Sequence, residues 1–132
     1  MANCFKKNNS AKFHIKNLVG AQTALIAGHS IQKITSPQLF IFNDKEEAAY
    51  FMNDLETLVK RKVLFYPSSY RRPYQLEETD NANVLLRTEV LNSLKHQNLP
   101  IIVSYAEAIF EKVISQEQLN NNSFEIKLSD NI

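Results

Sequence analysis

The feature that most constrains this chain is a repeated change of hydrophobic period. Short apolar runs rich in β-branched and aromatic residues fall at residues 13–19, 38–42, 62–66 and 100–103, with longer amphipathic stretches between them. Runs of this kind read as strands buried on both faces. Residues 44–59 place Ala48, Phe51, Met52, Leu55, Leu58 and Val59 at the three- and four-residue spacing of one helix face. Residues 80–96 repeat the pattern with Leu86, Val90, Leu91 and Leu94. Residues 20–34 carry Ala21, Ala24, Leu25, Gly28 and Ile31, a small-residue face that would let a helix lie close on a sheet. Strands alternating with helices imply parallel strands joined by right-handed crossovers. The expected fold class is α/β, a three-layer parallel sheet flanked by helices.

Local signals agree with that pattern. Asp44 with Glu47, and Ser104 with Glu107, have the capping-box spacing in which side chains satisfy free amides of a first helical turn. Pro37 and Pro100 fall at strand starts, where a missing N–H costs least. Residues 1–12 are polar and read as a loose arm, and residues 13–119 form the expected domain. Residues 120–132 are a linker in which SFEIKL, residues 123–128, alternates polar and apolar and suits an edge strand leading to a following domain.

A length of 132 residues fits one domain, and 44% hydrophobic residues exclude a disordered, coiled-coil or collagen-like chain. The net charge of +1 predicts no broad electrostatic grip on nucleic acid or anionic lipid. Cys4 is the single cysteine, and His14, His29 and His96 are scattered. The expectation is a cytosolic protein with no disulfide framework, no bound metal and no cofactor. No apolar stretch is long enough to span a membrane, and the first ten residues lack the apolar core of a secretory signal.

In α/β folds the ligand usually sits where a strand hands over to a helix. The first such junction reads NLVGAQTA over residues 17–24. A phosphate-binding loop has the form G-x-x-x-x-G-K-[ST], in which glycines allow the wrap, lysine meets the phosphates and a hydroxyl meets magnesium. On that frame Asn17 and Gln22 stand at the glycine positions, Thr23 at the lysine and Ala24 at the hydroxyl; only Gly20, inside the loop, suits it. Tight nucleotide triphosphate binding is not expected, and a plain strand-to-helix turn with no ligand is the favoured reading of the segment.

After the strand at 62–66 comes a segment with Tyr70, Arg71, Arg72 and Tyr74. Tyrosine and arginine are enriched where proteins bind one another, and they can also stack on bases or pin phosphates. A plainer reading has the tyrosines covering the sheet edge and the arginines pairing with Glu77, Glu78 and Asp80. Those three acids precede a helix, where carboxylates favour the amide-rich end, so capping is favoured over a metal site. Lys60, Arg61 and Lys62 form a short basic corner between helix and strand. No hydrolase elbow, zinc motif or dinucleotide fingerprint occurs.

Three ordered segments carry a resemblance: FIFNDKEEAAY at 40–50, VLFYPSSYRRPY at 63–74 and NANVLLRTEVL at 81–91, preceded by the strand, degenerate loop and helix of the first forty residues. Together they resemble the N-terminal region of the bacterial transcription-repair coupling factor family, Mfd, in its Bacteroidetes-type form, over residues 13–119. The resemblance implies a degenerate P-loop NTPase-like fold similar to the first domain of UvrB. It implies a phosphate loop that has decayed, as at Asn17, Gln22, Thr23 and Ala24. It also implies that the DNA-clamping hairpin of UvrB is absent, because only five residues join Tyr74 to Asp80.

The full-length family protein is an ATP-dependent DNA translocase that removes stalled RNA polymerase and recruits UvrA for nucleotide excision repair in the bacterial cytoplasm. For this chain the resemblance implies a non-catalytic scaffold without cofactor. Its partners would be other domains of the same protein, with UvrA reached through the following domain and polymerase and DNA through downstream ones. The contact surface expected is Tyr70, Arg71, Arg72 and Tyr74. The alternative is a free-standing small nucleotide-binding or enzymatic α/β protein, supported by architecture alone. An independent nucleic-acid binder is a third option, at odds with the near-neutral charge.

Overall fold

The structure is a computed structural model and describes residues 12–70, 80–96, 99–113, 115, 117, 118 and 121. In chain order its elements are helix α1 (Gln22–Ile31), strand β1 (Gln38–Phe42), helix α2 (Lys45–Leu58), strand β2 (Val63–Tyr66), helix α3 (Asn81–Lys95), strand β3 (Ile101–Tyr105) and the short helix α4 (Ala106–Phe110). The three strands form one parallel sheet in the order β1-β3-β2. The α/β class and the parallel sheet between helices are thus as the alternating hydrophobic period requires.

The register fixes which side chains share a face. Phe40 lies opposite Val103, which lies opposite Phe65, whereas Ile41 aligns with Ser104 and Tyr66 on the other face. Phe51 of α2 packs its ring at 5.1 Å from Phe40 and 4.6 Å from Phe42, so α2 covers the first face. Arg87 of α3 lies over the Tyr66 ring on the second. Helices on opposite faces are what two right-handed crossovers require, because the path runs outward from β1 to β2 and then back to β3.

All five residues of the central strand β3 are buried. Its apolar residues Ile101, Ile102, Val103 and Tyr105 join Ala48, Phe51, Leu55, Val63, Leu64 and Val90 in the core. β1 departs from the expectation of burial on both faces: Leu39 and Ile41 are more than half exposed. α3 packs chiefly on β2.

Asp44 caps α2 as its spacing predicts, accepting a 2.8 Å bond from the Glu47 N–H. Asp80 caps α3 through the Ala82 N–H at 3.0 Å. The Ser104–Glu107 capping box does not form. Ser104 is the fourth residue of β3, fully buried, and its hydroxyl donates at 2.7 Å to the Tyr66 carbonyl of the neighbouring strand. A side chain inside the sheet cannot turn back to a helix terminus, and α4 begins after Tyr105 with no side-chain cap.

Two expectations about the first forty residues are corrected. The small-residue face of α1 buries Ala24, Ala27, Gly28 and Ile31, but it packs on α2 rather than on the sheet. A Cβ at Gly28 would stand 3.4 Å from the Leu58 Cβ. Residues 13–19 carry no regular secondary structure and are largely exposed, so the expected first strand is absent. Asn17 adopts φ +61° and Gly20 φ +57°, left-handed conformations that an extended strand does not contain. The edge strand expected within 120–132 and the arm with Cys4 lie outside the described residues, apart from Lys12 and Asn121.

Candidate functional site

A dense polar arrangement lies at the carboxyl ends of β2 and β3, where an open α/β sheet usually places its working residues. β2 ends at Tyr66, and the chain continues through Pro67, Ser68 and Ser69 toward the tyrosine- and arginine-rich segment. β3 delivers Tyr105 alongside, and α4 then carries the chain to Glu111.

Arg87 projects from α3 into this junction. Its Nη1 donates to the Pro67 carbonyl at 2.8 Å and the Ala108 carbonyl at 3.3 Å, and its Nη2 lies 3.5 Å from the Glu111 carboxylate. Its guanidinium sits 4.2 Å from the centroid of the Tyr66 ring. Glu111 in turn accepts from the Ser69 N–H at 2.8 Å, from the Ser68 hydroxyl at 3.1 Å and from the Ser69 hydroxyl. The Tyr105 hydroxyl accepts from the Ser68 N–H at 2.9 Å.

Arg87 and Glu111 are nearly withdrawn from water, with side chains 8% and 12% exposed. Taking two charges out of water costs several kcal/mol each, which an ion pair offsets only when hydrogen bonds satisfy its remaining donors and lone pairs. Here the bonds just named do so, and among the described residues no buried side-chain polar atom lacks a partner. Burial pushes the Tyr66 hydroxyl above its ordinary pKa of 10.0, with Arg87 opposing and Glu111 adding to the rise. Burial likewise raises that of Tyr105, opposed by the Ser68 N–H and supported by Glu107 and Glu111. Both phenols therefore stay neutral at physiological pH. The paired charges and the bonds they make fix the loop after β2.

Of the predicted contact residues, Tyr70 adjoins this clamp. Tyr70 is half-buried, its N–H 3.4 Å from the Ser68 hydroxyl; Arg71, Arg72, Tyr74, Glu77 and Glu78 lie outside the described residues. The far end of the loop is tied back, because the Asp80 N–H donates to the Ser69 carbonyl at 2.8 Å. Both ends of the connection are thus held side by side above β2.

The degenerate phosphate loop folds as a turn into α1. The Val19 N–H donates at 3.1 Å to the Gln22 side-chain oxygen, and the Gln22 N–H returns to the Val19 carbonyl at 3.4 Å. Ala24 is 1% exposed and belongs to the core, while Thr23 is half-buried. The positions of the lysine and hydroxyl of a working loop therefore pack or turn the chain.

His14 and His29 are exposed and isolated, and no group of three or more metal-ligating side chains occurs among the described residues. No helix among them is long and apolar enough to cross a membrane.

The sequence reading missed Arg87, Glu111 and the two serines. Arg87 did leave a signal: it stands three residues before Val90 and seven before Leu94, a charge set within an apolar stripe. Glu111 left none, since its partners come from distant segments. No family model matches the chain, and no curated protein or solved structure was found to match it.

Proposed function

We propose that the chain is a non-catalytic scaffold, the N-terminal domain of a transcription-repair coupling factor with a degenerate P-loop NTPase-like fold. It works in the bacterial cytoplasm without a cofactor of its own. The three ordered sequence segments support this reading, and the parallel sheet between helices is compatible with it.

The observation that carries the non-catalytic part is the turn before α1. Gln22 uses its own side chain to satisfy the Val19 N–H, an amide that a phosphate would otherwise need, and Ala24 is committed to the core. In this reading the Arg87–Glu111 clamp serves as the rigid base of the contact surface Tyr70, Arg71, Arg72 and Tyr74. That surface docks the domain on the remainder of the same polypeptide, with UvrA, RNA polymerase and DNA engaged by other domains.

The test is quadruple alanine substitution of Tyr70, Arg71, Arg72 and Tyr74 in the full-length protein, with docking followed by limited proteolysis. Faster release of the N-terminal module is the expected outcome. An unchanged digestion pattern would remove these residues from the account.

A further inference from the structure

Strand β1 is a sheet edge without the usual protection. Among the described residues it pairs with β3 alone, in a register running from Gln38 opposite Ile101 to Phe42 opposite Tyr105. The Gln38 N–H donates to the Pro100 carbonyl at 2.9 Å, so Gln38, Phe40 and Phe42 turn their amides toward β3. Leu39 and Ile41 turn theirs outward, where no described strand meets them. Natural edge strands carry charges, prolines or bulges that discourage further pairing. Gln38–Phe42 reads QLFIF and holds neither a charge nor a proline.

The side chains repeat what the backbone shows. Leu39 and Ile41 are 54% and 55% exposed. They share the face on which α3 packs, but α3 rests chiefly on β2, on the far side of β3. β1 therefore lacks a neighbour both along its outer edge and beside its two apolar side chains.

Residues 123–128, SFEIKL, fit that place. Extended, they put Phe124, Ile126 and Leu128 on one face and Glu125 and Lys127 on the other. The apolar trio matches the alternation of Leu39 and Ile41, and the two charges are of the kind that end a sheet. The chain also reaches. Glu111 is held by the Ser69 N–H at the carboxyl end of the sheet, the end where Phe42 stands opposite Tyr105. From there the outer edge of β1 is at most three strand spacings away, about 15 Å. Residues 112–122 cover that distance, whereas a parallel strand would first need a crossover of about a dozen residues or more back along the sheet.

We infer that residues 123–128 add to β1 as an antiparallel fourth strand, with Phe124 and Ile126 beside Leu39 and Ile41. The inference concerns this chain's own residues and is independent of the scaffold reading.

The experiment is residue-resolved amide hydrogen exchange on the 132-residue chain, on the chain shortened after Asn122 and on Ile126→Asp. Gln38 and Phe40, whose amides face β3, report that the sheet is intact in each. In the 132-residue chain the Leu39 and Ile41 amides are expected to exchange about tenfold more slowly than in either variant, the scale of one added hydrogen bond. Nuclear Overhauser contacts from Phe124 and Ile126 to Leu39 and Ile41 are expected alongside. Ile126→Asp keeps the comparison decisive if the shortened chain does not fold. Equal exchange of Leu39 and Ile41 in the 132-residue chain and Ile126→Asp would overturn the inference. Protection that disappears on dilution would overturn it too, by giving the edge to a second copy of the chain.

Discussion

Arg87 and Glu111 face each other at 3.5 Å in an almost dry junction and, with the Tyr105 hydroxyl, hold the loop after β2. Arg87 holds the carbonyls of Pro67 and Ala108, and Glu111 holds Ser68 and Ser69. One ion pair therefore joins β2, α3 and the exit of β3. Breaking it by removing one charge leaves the other buried and uncompensated, which costs about 3 kcal/mol or more. Glu111→Gln is expected to lower stability by about that amount in urea unfolding. A Glu111→Gln, Arg87→Met pair is expected to lose less than the sum of the single changes, because neither charge is then stranded.

The Ser104 hydroxyl joins strand β3 to the Tyr66 carbonyl of β2. Ser104→Ala removes the donor to the buried Tyr66 carbonyl and is expected to cost about 1–2 kcal/mol. Thermal unfolding checks the value, and an unchanged midpoint would mean the carbonyl is satisfied elsewhere.

The two glycines predict opposite behaviour. Gly20 has φ +57° with open space around it, so Gly20→Ala suffers backbone strain alone, about 1 kcal/mol. Gly28 is helical, and an alanine Cβ there stands 3.4 Å from the Leu58 Cβ. The helix-propensity gain of about 1 kcal/mol offsets that tight contact, so Gly28→Ala is expected to be near neutral, whereas Gly28→Leu separates α1 from α2 and destabilises. Urea midpoints of the three variants order these effects.

Tyr66 and Tyr105 are both raised above 10.0 by burial. In the unfolded chain they ionise first, so between the unfolded and folded pKa the unfolded state binds fewer protons and stability falls as pH rises. The tyrosine contribution is intact below pH 10 and is lost progressively above it. A urea series at increasing alkaline pH is expected to show this decline shrinking in Tyr66→Phe and Tyr105→Phe. Wild-type-like decline in both variants would assign it to other groups.

The parallel sheet was legible because short apolar runs alternate along the chain with stretches of three- and four-residue apolar spacing. Asp44 was legible as a cap because its partner is three residues away. The same spacing misled at Ser104, where burial in the central strand outcompeted capping. The apolar run at 13–19 misled because Asn17 turns the chain out of extended geometry, and a propensity for strand does not supply a neighbouring strand to pair with. The clamp could not be read at all beyond Arg87, since Glu111 meets Ser68 and Ser69 only after the sheet has formed. Local pattern specifies elements, whereas polar networks at strand ends depend on tertiary juxtaposition.

The central claim is that this chain works as one domain of a much longer protein. An antibody raised against it, used on a denaturing blot of lysate from the source cells, addresses that directly. The account predicts a band far above 15.2 kDa, and a band at 15.2 kDa would contradict it.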